Sequence, residues 1–187
     1  MKTRELVLNA IFIAIIAVMA WVPQLGYIQL FPTVGFTIIH IPVIVGALVY
    51  KRSGLILGTT FGLSSLFVAL TRPAGPVDYL FQNPLVSVLP RIIFGLVIIY
   101  LYRFFMSQIK NKNIAIGLTA FLATLIHSVL VLSMIYVFGV DLLGGSELAL
   151  GVIGSILLTN ASIEAFVAVL IGVPVIRRLS AFINWYW

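Results

Sequence analysis

The sequence predicts an all-α fold: an integral membrane bundle of six transmembrane helices, in one domain over residues 1–187. Three observations predict it. The charges are too few to cover a water-facing surface, the apolar runs have spanning length, and the basic residues gather at alternate connections. Only 9% of residues are charged and 62% are hydrophobic, against about 25% charged in an ordinary soluble domain. The exterior of such a chain must face lipid.

The apolar runs fall at 6–22, 36–50, 54–71, 84–106, 113–138 and 148–176. A helix needs about 20 residues to span the hydrocarbon core, and the second run is the shortest. The runs are continuous rather than alternating, unlike the strands of a lipid-facing barrel. The first begins like a signal peptide, with Lys2 and Arg4 before it. From Leu6 to Val22 it exceeds the length of an h-region and lacks a clear small-x-small cleavage site, so a retained first helix is expected.

Lys2, Arg4, Lys51, Arg52, Arg103, Lys110, Lys112, Arg177 and Arg178 are nine of the eleven basic residues, and all fall on one side of this layout. The other side holds Arg72 with Asp78, Asp141 and Glu147, while Arg91 lies inside a span. The positive-inside rule then puts both termini in the cytoplasm, and two ends on one side require an even number of spans. The same arrangement explains the net charge of +6 without nucleic acid. The chain has no cysteine, which removes disulfides, thiolate metal sites and a thiol nucleophile.

Trp21, Tyr27, Trp185, Tyr186 and Trp187 fall at span ends, as interfacial aromatics do. Residues 22–36 and 72–84 are fairly apolar and broken by prolines, among them Pro23, Pro32 and Pro84. Such loops can form a lid over a pocket or rest on lipid headgroups.

Polar groups inside a span are expensive and default to a functional or pairing role. Four stand out: Arg91, His127, Asn160 and Glu164. Arg91 lies seven residues past Pro84, roughly 10 Å into its helix. His127 lies fourteen residues past Asn113, roughly 21 Å along a helix running the other way. Asn160 and Glu164 are four apart and share a helix face. Three helices thus bring polar groups to similar depth, as in a polar-lined pocket. The alternative is a buried Arg91–Glu164 ion pair with His127 and Asn160 bonding across helices. Ser87 precedes Arg91 by one turn, and Asn83 with Gln82 stands at the pocket mouth. His40, near the end of the short second run, reads as a packing residue.

Ala10 and Ala14 form a small-xxx-small step on the first helix, continued by Ala17, and Gly54, Gly58 and Gly62 form a second on the third. Small residues at this spacing let helices approach closely in lipid. The glycine ladder is expected to pack inside the bundle, whereas the alanine step can meet another subunit. The chain has no Gly-x-x-x-x-Gly-Lys-Ser/Thr, no His-Glu-x-x-His and no Gly-x-Ser-x-Gly. No enzyme, cofactor or metal site is expected.

The run from Thr37 to Ala47, the run from Asn83 to Arg91 and the Ala10-x-x-x-Ala14 step together resemble the S components of energy-coupling factor (ECF) vitamin transporters. The resemblance covers essentially the whole chain. It implies a vitamin binder with an outward-facing site capped by the first and third connecting loops. It also implies docking of the Ala10 and Ala14 face on a membrane-embedded coupling (T) subunit driven by two cytoplasmic ATPases. The substrate-binding positions expected here are Asn83, Ser87, Arg91, His127, Asn160 and Glu164. The runs look most like S components for pantothenate, whose carboxylate would pair with Arg91. S components for pyridoxine or hydroxymethylpyrimidine look similar, and Glu164 suits a hydrogen-bond-donating ring. A self-sufficient secondary transporter, with Arg91, His127 and Glu164 as a proton relay, is the competing reading. The absence of an evident internal repeat weighs against it.

Overall fold

A computed structural model describes residues 3–31, 34–50, 53–73 and 75–182 of the chain. Lys2, Pro32, Lys51, Arg52, Trp185, Tyr186 and Trp187 lie outside the described residues. The elements run α1 (Thr3–Trp21), a one-turn α2 (Pro23–Gly26), a hairpin of β1 (Tyr27–Phe31) and β2 (Val34–Thr37), α3 (His40–Val49) and α4 (Ser53–Thr71). A 3₁₀ turn (Pro76–Gln82) and the one-turn α5 (Pro84–Ser87) lead into α6 (Leu89–Gln108) and α7 (Lys112–Gly139). A final long helix follows. It consists of α8 (Ser146–Ile156), a π-helical turn (Leu157–Ala161) and α9 (Ser162–Phe182).

Five of these helical segments are long and apolar enough to cross a membrane, and α3 is the shorter apolar sixth. The bundle is therefore all-α with one local exception, the two-stranded hairpin. The second apolar run was expected to be helical from residue 36. Its first residues instead complete β2, which pairs antiparallel with β1 in the register Tyr27↔Thr37, Ile28↔Phe36 and Gln29↔Gly35. Both strands are rich in aromatic and β-branched residues, which suit a pleated ribbon. Pairing also satisfies backbone hydrogen-bonding groups of both strands.

Every residue of α3 except Pro42 is buried. A helix apolar on all sides belongs in the interior, and α3 packs against α1, α4, α6 and α9. Around it, the long helices turn large aliphatics outward, with Leu158 80% and Leu170 76% exposed. Those surfaces suit lipid rather than water. On α1 the buried residues are Asn9, Phe12 and Ile16, a single narrow face. Ala10 and Ala14 lie exposed on another.

The glycine ladder of α4 packs internally, as expected. A Cβ on Gly58 would collide with the carbonyl oxygen of Arg91, and one on Gly62 would come within 2.8 Å of the Val88 Cα. Gly95 of α6 faces Gly54 in the same manner. The α4 backbone therefore lies directly on the first turns of α6, which fixes where Arg91 begins its side chain.

The fourth apolar run is interrupted. Asn83 caps α5 by accepting a hydrogen bond from the Leu85 amide at 3.0 Å, and Pro90 opens α6 within its first turn. The final helix is continuous from Ser146 to Ala181, 36 residues, or about 54 Å of helix. It exceeds the roughly 30 Å hydrocarbon core, so it crosses obliquely or extends beyond the core.

Replacing Gly58 by Ala should cost about 1–3 kcal/mol through backbone overlap with Arg91. Thermal unfolding in detergent is the check, and a midpoint equal to that of the unchanged protein would contradict the close α4–α6 contact.

Candidate functional site

A cavity of about 790 Å³ opens between α4, α6, α7, the final helix, the hairpin and the 3₁₀ turn. That volume lies within the range of small-molecule sites, roughly 300–1,000 Å³. The wall from α4 is one helix face, Phe61, Ser65, Val68 and Ala69, at the i, i+4, i+7, i+8 spacing, with Arg72 just past the end of the helix. The final helix presents Ile156, Asn160, Ala161 and Glu164. Its π-helical turn carries the extra residue locally, and the Ser162 hydroxyl donates to the Leu157 carbonyl five residues back at 3.3 Å. Such turns commonly mark functional sites. This one brings Asn160 and Glu164 to the same wall.

Arg91 enters from α6. Its guanidinium carbon lies 5.1 Å from the ring centre of Phe81 and 5.5 Å from that of Phe61, two cation–π contacts. Its Nη1 donates to the Val86 carbonyl at 2.7 Å, while its buried Nε has no hydrogen-bond partner among the described residues. Glu164 occupies another part of the lining. Its Oε1 accepts from the Thr37 amide at 2.8 Å and from the Thr37 hydroxyl at 2.9 Å. Arg91 and Glu164 therefore do not form the ion pair considered from sequence. Each is held by a different backbone segment, and the cavity keeps a cation and a carboxylate at separate points.

His127 packs its ring against Phe94 at 4.7 Å and Phe61 at 5.5 Å, centroid to centroid, and lines the cavity with Ser128. At the mouth, the Arg72 guanidinium lies 4.2 Å over the Trp21 ring and donates to the Trp21 carbonyl, tying α1 to α4. Trp21 also stacks on Phe67. The 3₁₀ turn adds Asp78 and Phe81 to the lining. The Asp78 carboxylate accepts from the Gly75 amide at 3.1 Å, closing the turn on itself.

Four of the positions expected from sequence thus converge on one cavity: Arg91, His127, Asn160 and Glu164. Asn83 and Ser87 lie outside its lining. Asn83 caps α5, and the buried Ser87 hydroxyl donates to the Asn83 carbonyl at 3.1 Å. Sequence reasoning missed Thr37, Phe61, Ser65 and Phe81. A face-by-face reading of α4 finds Phe61, Ser65 and Arg72 together. Nothing local marks Thr37 or Phe81, because both reach the cavity through chain reversals.

The chain matches the family model described as "ECF transporter, substrate-specific component" over residues 4–176. It is 32% identical over 195 residues to the pantothenic acid transporter PanT of Lactococcus lactis subsp. cremoris, covering 96% of this chain and 95% of that protein. It is 34% identical over 141 residues to the pantothenate transporter PanT of Leuconostoc mesenteroides subsp. mesenteroides, covering 68% of this chain and 66% of that protein.

Removing the Glu164 carboxylate, as in Glu164→Ala, takes away the acceptor that holds the Thr37 end of the hairpin. Hydrogen–deuterium exchange at residues 35–37 should then accelerate about tenfold or more, given what hydrogen bonds to a charged group contribute. Unchanged protection there would show that Glu164 does not anchor the hairpin.

Proposed function

The chain belongs to the substrate-specific components of ECF transporters, and from that premise we propose that it captures pantothenate in the cavity between α4, α6, α7 and the final helix. One observation carries the reading. Arg91 and Glu164 stand at different points of the same cavity, unpaired with each other, with apolar and aromatic surface around them. Pantothenate has a matching polarity: a carboxylate at one end, two hydroxyls at the other, and an amide and a gem-dimethyl carbon between.

In this arrangement the carboxylate meets Arg91, a charge-assisted contact strengthened by the aromatic rings that exclude water. His127, beside Arg91, donates to the same end. The hydroxyls donate to Glu164 and bond Asn160, and Phe61, Val131 and Leu132 enclose the dimethyl centre. The names of the two relatives support the choice of vitamin. Pyridoxine and hydroxymethylpyrimidine are the alternatives that Glu164 favours, because each carries donors and neither carries a carboxylate.

The chain has no phosphate-binding loop, so ATP-driven uptake requires other subunits. The exposed Ala10 and Ala14 face of α1 is the surface proposed to dock on the membrane coupling subunit, itself driven by two ATPases. The basic end of the bundle, with both termini, faces the cytoplasm in this reading, and the hairpin and 3₁₀ turn close the cavity from outside.

Calorimetry on the purified chain tests the substrate. Pantothenate should bind, and Arg91→Ala should weaken binding by roughly 10- to 100-fold, the loss expected for a charge-assisted hydrogen bond. Tight binding of pyridoxine or hydroxymethylpyrimidine instead of pantothenate would overturn the substrate. Ala14→Leu tests the docking face: vitamin binding by the isolated chain should be retained while uptake in cells expressing the full transporter falls. Uptake equal to that of the unchanged chain would move the interface elsewhere.

A further inference from the structure

His40 does not line the cavity, yet its ring lies just behind the cavity wall. It is completely buried, and neither of its ring nitrogens has a hydrogen-bond partner among the described residues. Its ring lies 6.3 Å from that of His127, centroid to centroid, and inclined to it by only 20°. Phe94 flanks both rings, at 6.4 Å from His40 and 4.7 Å from His127. The His127 Nε2 is buried and likewise has no partner among the described residues. His127 is 6% exposed and lines the cavity.

Buried polar atoms nearly always find hydrogen bonds, and ordered water supplies those that the protein does not. The two imidazoles make no direct hydrogen bond. Two hydrogen bonds in series through one water span up to about 5.8 Å between heavy atoms, and nitrogens of two rings whose centroids lie 6.3 Å apart can fall within that reach. A histidine nitrogen that accepts a hydrogen bond leaves the proton on the other nitrogen. The tautomer of His127 is therefore open to control through its buried Nε2.

We propose that His40 is a positioning residue that acts through a shared water on His127. The water accepts from a His40 N–H and donates to the His127 Nε2, so the His127 proton resides on Nδ1 and points into the cavity. A donor in that place complements a carboxylate beside Arg91, where a bare nitrogen lone pair would repel it. The effect on ligand rests on the reading of the cavity as the pantothenate site. The effect on the tautomer does not.

The chain has two histidines, so ¹⁵N-histidine labelling with His40→Gln as the assignment control resolves both by NMR. In the unchanged, ligand-free protein, His127 should show one tautomer, protonated on Nδ1. A mixture of tautomers, or a proton on Nε2, would overturn the proposal without any variant needing to fold. In His40→Phe, which keeps an aromatic ring but no donor, His127 should lose that single tautomer and pantothenate affinity should fall about tenfold. His40→Gln, which restores a donor, should recover both. If His40→Phe folds and leaves the His127 tautomer unchanged, His40 is only a packing residue. Failure of pantothenate to bind the unchanged chain would instead reject the substrate reading, and the tautomer measurement would still decide the role of His40.

Discussion

A polar group carried into the hydrocarbon layer must find its partner inside the protein, because lipid offers none. That constraint organises this molecule. With so little charge in the chain, the intramembrane polar groups are gathered rather than scattered: Arg91, His127, Asn160 and Glu164 from three helices reach one cavity. The partners they find are largely local backbone and hydroxyl groups. Arg91 bonds the carbonyl of Val86, five residues earlier, and Glu164 bonds both donors of Thr37. Each charge is held in place by its own partner, without an ion pair between the two.

Precision of placement comes from packing. Gly54, Gly58 and Gly62 let α4 lie against the start of α6 so closely that a methyl group at Gly58 would strike the Arg91 backbone. Arg91 therefore projects from a rigid seam, and Phe61, one turn along from Gly58 on α4, supplies one of the rings beneath its guanidinium. The same two helices thus fix the cation and one of the two rings against it, the other being Phe81 of the 3₁₀ turn. Close helix approach and site geometry are one feature here, since in lipid van der Waals contact replaces the hydrophobic drive between helices.

The covering elements are built differently. The hairpin is held at Thr37 by Glu164 and continues into the buried α3, while the 3₁₀ turn closes through Asp78 and is tied to α4 by the Gln82 side chain on the Ala69 carbonyl at 3.0 Å. Arg72 on Trp21 joins α1 to α4 beside them. The 3₁₀ turn adds apolar contact to these polar ties, with Leu80 and Phe81 packed against the buried cluster of Val86, Leu132 and Ile135.

Composition, run length and the distribution of lysine and arginine were enough to read a multi-helix membrane bundle, its approximate spans and the residues with reason to be polar within it. Those properties belong to single residues and local stretches: the cost of burying a charge and the length needed to cross the core do not depend on what lies across the bundle. The ladder at Gly54, Gly58 and Gly62 was legible for the same reason. Only the tertiary structure decided which polar groups meet. It gave Asn83 to the cap of α5, put the start of the second apolar run into a strand, separated Arg91 from Glu164, and brought Thr37 and Phe81 to the cavity from distant parts of the chain. Hydrogen bonds and ring contacts are pairwise and act over a few ångströms, so no local stretch of sequence contains both partners of a contact spanning 127 positions, as between Thr37 and Glu164.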